Sequence, residues 1–241
     1  MTSLGKIAGG VAIAALAAAF AVGEVSAQEK KVQGKSEAKG PNVDPKKKGG
    51  KVVSPVQDVA TAHALVRYGD RNKDAMALIS AARILNAVGA QDKQPPAQSK
   101  AANKATKEGP DMTVKGILAR AKQYAGDRKD LLALADDAAT GTRGPVEGPL
   151  QGVEVAGPNQ RVWWNIAFRG DEPAVVAIHG DGDTDLDLFV YDENGRLVCQ
   201  AVTTSDREQC GWYPRWTGMF RVEVRNLGRV ANRFGIGMSS R

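Results

Sequence analysis

The stretch GDGDTDLDLFVYD, residues 180–192, decides how the second half of this 241-residue chain is read. Asp181, Asp183, Asp185 and Asp187 fall at every second position and run directly into Leu186, Leu188 and Val190. A β-strand sends successive side chains to opposite faces. Leu186, Leu188 and Val190 therefore enter a core, while Asp185, Asp187, Phe189 and Tyr191 share the other face. An acidic, glycine-bearing loop that feeds a half-buried strand points to a β-sandwich. At the head of the strand it leaves room for either a cation site or a polar turn network.

Outward from this stretch the strand signals repeat. Residues 153–155, 161–168, 174–178, 197–202, 219–224 and 233–238 read as further strands. Turn signals separate them: Gly157-Pro158-Asn159, Gly170-Asp171, Glu193-Asn194-Gly195 and Thr217-Gly218. Short strands at this spacing predict an all-β, jelly-roll-like sandwich over residues 151–241.

The text before it is of another kind. The chain carries a net charge of +6, but residues 151–241 hold ten Arg, no Lys and twelve acids, together with all four Trp. The excess of positive charge lies upstream, and the break falls in a Gly/Pro-rich linker over residues 140–150. Residues 54–139 read as helices. Ser54-Pro55-Val56-Gln57 is an N-terminal capping pattern. Val56, Val59, Ala60, Ala64 and Leu65 then recur at helical spacing to Tyr68, where Gly69 closes the helix. A second helix from about Asn72 carries Met76, Ile79, Ala82, Leu85 and Val88. Val114, Ile117, Leu118 and Ala121, then Leu131, Leu132, Leu134 and Ala138, repeat the arrangement with similar turns after Tyr68 and Tyr124. One hairpin used twice, with a flexible polar insert over residues 91–109, predicts a small four-helix bundle, only weakly like tetratricopeptide units. The fold class is thus a multidomain α plus β chain, helical hairpins followed by an all-β sandwich.

The first 53 residues are read as export and tether. Lys6, the Ala-rich apolar run over residues 7–22 and the small residues Val25-Ser26-Ala27 have the layout of a signal peptide over residues 1–27, leaving no stable membrane span after cleavage. Residues 28–53 are rich in Lys and Gly and hold too few large apolar groups to offset their ordering entropy, which predicts a disordered basic linker. Its Lys46-Lys47-Lys48 run reads as a solvated tether, or as an attraction to an acidic envelope surface. In an exported chain, periplasmic or secreted, Cys199 and Cys210 read as a structural disulfide.

Sites of chemistry are few. His63 and His179 are the only histidines, and neither has the partner spacing of a triad or a zinc motif. The chain is therefore expected not to be an enzyme. Asp181, Asp183, Asp185 and Asp187 are candidate calcium ligands, with turn capping as the alternative. The residue at the sixth position of the loop is Leu186 where an EF-hand has Gly. Trp163 and Trp164 are adjacent, so one faces in and the other out. Trp212, Tyr213, Arg215 and Trp216 cluster beside the cysteines and are candidate binding residues, suited to stacking on sugars or gripping a peptide, or else they close one end of the sandwich. Basic groups and rings do not interleave, which argues against nucleic acid.

Taken together, GDGDTDLDLFVYD, the pair Cys199 and Cys210, the strand TGMFRVEVRN over residues 217–226 and the closing RFGIGM over residues 233–238 resemble the bacterial pre-peptidase C-terminal domain over residues 150–241. The resemblance implies a β-sandwich in an exported protein and does not imply a peptidase. The expected function is an exported non-catalytic binding or scaffold protein, acting through the sandwich and the helical region on an envelope polymer or a secreted protein. The alternative is an accessory or targeting module of a secreted hydrolase or peptidase system, stabilised by calcium and otherwise without a cofactor.

Overall fold

Among the described residues four helices, with one short strand between the second and third, precede the remaining strands of two antiparallel β-sheets that pack face to face as a sandwich. The computed structural model describes residues 40–47, 54–100, 105–140 and 148–239; the signal read over residues 1–27 lies outside them, as do residues 141–147 of the expected linker. Among the described residues no helix is long and apolar enough to cross a membrane.

Helix α1 (Pro55–Asn72) begins as its capping pattern dictates, with the Ser54 side chain accepting from Val56 N at 3.3 Å. It does not stop at Gly69. A Cβ at Gly69 would lie 2.8 Å from Leu78 Cδ2, so the bare backbone serves close packing, and the helix runs on to a cap at Lys73 with φ 55°. Asp74 then caps α2 (Ala75–Ala87), its Oδ1 accepting from Ala77 N at 3.0 Å. Met76, expected in the core, lies with Arg83 and Ala87 on the solvent face at 43% exposure, and Leu78 and Ala81 are buried beside Ile79, Ala82 and Leu85. Thr113 caps α3 (Val114–Ala125), and α4 is Lys129–Thr140. Val66, Leu78, Leu85, Ile117, Leu118 and Ala135 close one shared core. The two similar turns are not equivalent. Tyr68 is exposed, whereas Tyr124 donates to Asp70 at 3.2 Å and lies under Lys73 at 4.6 Å.

The strands are β1 (Gln98–Ser99), β2 (Leu150–Ala156), β3 (Arg161–Phe168), β4 (Ala174–His179), β5 (Leu186–Tyr191), β6 (Leu197–Ala201), β7 (Arg207–Trp212), β8 (Gly218–Asn226) and β9 (Asn232–Met238). One sheet has the order β1-β3-β8-β5-β6 and the other β2-β9-β4-β7. Leu186, Leu188 and Val190 enter the core between the sheets, beside Trp164, Phe168, Phe220, Phe234 and Ile236. Cys199 and Cys210 form a disulfide from β6 to β7, tying one sheet to the other. Closing so short a loop is worth about 3 kcal/mol in the chain-entropy model. Strand β7 escaped the sequence reading because REQCGW lacks a β-branched run; it is held by pairing along β4 and by the disulfide.

The helices and the sandwich meet. Val56 and Ala60 of α1 pack on Val175 and Ala177 of β4, so every residue of β4 is buried. The four-stranded sheet thus has a helix across β4 and β9, and the outward side of the five-stranded sheet carries its own side-chain pattern.

Candidate binding face of the five-stranded sheet

Alternation along β3, β8 and β5 that sends Val162, Trp164, Val222, Val224, Leu186 and Leu188 inward sends their neighbours outward. The pairing register lines those neighbours up in rows. Arg161 pairs with Arg225, and Arg225 with Asp187. Trp163 pairs with Glu223, Glu223 with Phe189, and Phe189 with Gln200. Asn165 pairs with Arg221, and Arg221 with Tyr191.

At the centre is Glu223, only 2% exposed. Its carboxylate lies 2.7 Å from Arg225 Nε, 3.6 Å from Arg221 Nε and 3.7 Å from Arg161 Nη1. A buried carboxylate without such partners would be costly; here three guanidiniums share it. They are also fixed from the side. Arg225 sits 3.9 Å over the Phe189 ring and donates to Tyr191 Oη at 2.8 Å, and Arg221 sits 4.5 Å over the Tyr191 ring. Burial lowers the Arg225 pKa, but the bond and charge of Glu223 together with Tyr191 raise it by more, so the group is held above its ordinary value. Phe189 and Tyr191 stack at 6.3 Å with 15° between their planes. Trp163, the outward member of the tryptophan pair, donates to Gln98 of β1 at 2.9 Å. The result is a face of half-buried rings and oriented guanidiniums. Sequence reading put Phe189 and Tyr191 on this face but did not connect them to RVEVR, whose alternation of Arg221, Glu223 and Arg225 was the available signal.

The acidic loop does not gather its four carboxylates. Lys107 places its ammonium between two of them, 2.6 Å from Asp181 Oδ2 and in contact with Asp183, and donates to Ala231 O at 2.9 Å. Asp181 also accepts from Arg233 N at 2.9 Å and from Asp183 N at 3.2 Å. Asp187 lies on the open face beside Arg225, its pKa raised by burial and then by Asp185 and Glu208. Among the described residues no group of three or more His, Cys, Asp or Glu is arranged to hold a metal. Lys107, from the insert, thus pairs with two of the carboxylates that the sequence offered as calcium ligands or turn caps. The insert, read as flexible, is tied down here and at Pro95, whose carbonyl accepts from Trp164 Nε1 at 3.0 Å.

The two histidines are buried rather than at the surface. His63 Nε2 lies 3.2 Å from Gln151 Oε1, and Gln151 Nε2 donates to Asp92 Oδ1 at 2.7 Å. Because that carboxylate fixes the amide, His63 is the neutral tautomer with its proton on Nε2. Burial, first of all, lowers its pKa to about 4. The ring sits so close to β9 that a Cβ at Gly235 would lie 2.0 Å from Nδ1. His179 is lowered to about 3 by burial and then by Arg67, whose Nη2 lies 3.4 Å from Nε2. Arg67 in turn donates to Gly180 O and pairs with Asp206 at 3.6 Å. These groups lock α1 to the sheet.

Of the four aromatic-loop candidates, Trp212 is a core residue, 1% exposed and 4.8 Å from Phe168 in an edge-to-face contact. Tyr213, Arg215 and Trp216 are met by the chain's own residues 40–47. Asn42 is wholly buried there; of residues 28–53, expected to be disordered, 28–39 and 48–53 lie outside the described residues. Polar bonding holds the segment, together with Val43, which is partly buried against the sandwich core. Asp44 N donates to Tyr213 O at 2.8 Å, Arg196 Nη1 donates to Gly40 O at 2.6 Å, and Lys47 pairs with Asp171 at 3.3 Å. Lys46 and Lys47 are exposed, and Lys48 lies outside the described residues.

No family model matches the chain, and no curated protein matches it. Solved structures similar to it include the pre-peptidase C-terminal domain of a collagenase from Bacillus anthracis, at 6% identity over 38% of this chain and 88% of that one, with a TM-score of 0.32. Another is the periplasmic inhibitor of g-type lysozyme from Aeromonas hydrophila, at 8% identity over 39% and 86%, with a TM-score of 0.30. A third is the Yersinia pseudotuberculosis-derived mitogen, at 8% identity over 40% and 88%, with a TM-score of 0.30.

Proposed function

We infer that the chain is an exported, non-catalytic binding protein and that the outward face of its five-stranded sheet is the surface that binds. One observation carries the reading: Glu223 pins Arg161, Arg221 and Arg225 beside Phe189 and Tyr191, so rings and guanidiniums are oriented before any ligand arrives. A preorganised surface loses little side-chain entropy on binding. Rings offer flat apolar area, and the free N–H edges of the guanidiniums offer donors. That combination suits a sugar polymer of the cell envelope, whose rings stack while its hydroxyl and carboxylate groups accept hydrogen bonds. The histidines support the non-catalytic reading, since both are neutral and engaged in seating α1 on the sheet. The helical region offers a second surface, a cleft of about 820 Å³ lined by Leu85, Val114, Lys115 and Leu118.

Titration with soluble peptidoglycan fragments tests the reading. Trp163→Ala and Tyr191→Ala should each weaken binding about fivefold or more, in line with about 1–3 kcal/mol for a stacked aromatic ring. Binding that is unaffected by both substitutions would move the site elsewhere.

A further inference from the structure

We propose that the end of the sandwich bounded by Asp192, Glu193, Arg215 and Trp216 is an asparagine-specific peptide-docking site, occupied in cis by residues 40–47. The site recognises the whole primary amide. Asn42 Oδ1 accepts from Arg215 N at 2.9 Å and from Trp216 N at 3.2 Å. Asn42 Nδ2 donates to Trp216 O at 3.0 Å and to Glu193 Oε2 at 3.4 Å. The backbone N–H of Asn42 donates to Asp192 Oδ2 at 3.0 Å. Both acceptor positions and both donors of the side chain are used, in full burial.

This pattern excludes near relatives of asparagine. An aspartate would bring a second carboxylate against Glu193 and the Trp216 carbonyl and would have no donors for them. A glutamine is one methylene longer in a slot where a Cβ on Gly218 would already come within 3.0 Å of Nδ2. An alanine would leave the Arg215 and Trp216 N–H groups and the Trp216 carbonyl without the partners that the buried amide supplies, a costly loss.

The receiving side is held independently of its occupant. Asp192 Oδ1 accepts from Asn194 N and Arg196 N, both at 2.9 Å, and Asp192 is itself buried. Glu193 Oε1 accepts from Trp216 Nε1 at 2.7 Å. The turn after β5 and the loop before β8 thus present a ready-made set of groups to a segment that lies about 150 residues away in sequence. The ligand class is an extended peptide bearing asparagine, with a main-chain N–H two residues later to meet the Tyr213 carbonyl as Asp44 does.

A tethered occupant competes at an effective concentration of order millimolar. The test uses the full chain with Asn42→Asp and a fluorescent peptide of sequence GPNVDPKK, residues 40–47. The variant should bind this peptide about tenfold or more tightly than the unaltered chain does. Its binding of a peptide with Asp in place of Asn should be at least tenfold weaker. Equal binding of the two peptides, or binding of neither by a variant whose circular dichroism is unchanged, would overturn the proposal. A second measurement needs no variant. Excess GPNVDPKK should speed tryptic cleavage after Lys46 in the unaltered chain, and the Asp peptide should not; cleavage indifferent to both would equally overturn it.

Discussion

Glu223 and Arg225, two residues apart on β8, meet at 2.7 Å on the outward side of the sheet while Val224 between them is wholly in the core. The pair shows how a single strand can build a core with one set of side chains and an ordered surface with the other.

Replacing Glu223 by Gln should expose how far this carboxylate organises the face. The guanidiniums of Arg161, Arg221 and Arg225 are between a third and a half exposed, so solvent screens them and the loss falls short of that for a fully buried pair. We expect a loss of about 2 kcal/mol, and a fall in melting temperature of about 4–8 °C for a chain of this size. Thermal melting checks it.

Stability should fall with acidification. An unfolded histidine has a pKa near 6.5, and folding lowers His63 to about 4 and His179 to about 3. The unfolded chain therefore binds more protons below pH 6.5, so stability is fully present above that pH and is lost as pH drops toward 4 and then 3. His63 alone should contribute a loss of about 3 kcal/mol between pH 6.5 and 4. Denaturant midpoints measured across this range should fall steeply for the unaltered chain and less steeply for His63→Gln.

Gly235→Ala tests the seating of α1 on the sheet. Its methyl would lie 2.0 Å from His63 Nδ1, and a buried ring between a helix and a strand has no room to yield. Overpacking of this kind costs about 1–3 kcal/mol. The melting temperature should drop, and His63→Ala in the same chain should restore part of the loss.

Calcium should leave the protein unchanged. Lys107 already pairs with both Asp181 and Asp183, and Asp187 lies by Arg225 on the sheet face. Millimolar calcium is expected to give no shift in melting temperature; a rise of several degrees would restore the metal reading of residues 180–192.

Much of the architecture was legible because period and punctuation are local. The alternation of Leu186, Leu188 and Val190 predicted their burial, and Ser54-Pro55 predicted the start of α1. What was not legible depends on partners far away in sequence. Gly69 looks like a helix stop until Leu78 is placed against it. Strand β7 has no signal without β4 and the disulfide. The run AVVAIH did carry a message, since an uninterrupted apolar strand is buried on both sides, and α1 is what covers it. The contact of the acidic loop with Lys107 was not legible because that residue lies some seventy positions earlier. Asn42 was hidden in a segment whose composition alone forbids a core, because its order rests on hydrogen bonds to groups about 150 residues away or more.

The central claim is that the face around Glu223 binds, and nuclear magnetic resonance of the full chain with soluble peptidoglycan fragments tests it most directly. The prediction is that shifts concentrate at the Trp163 indole N–H, the Phe189 and Tyr191 rings and the Arg161, Arg221 and Arg225 Nε–H groups. Shifts confined to the cleft around Leu85 and Leu118, or to the loop at Trp216, would contradict it.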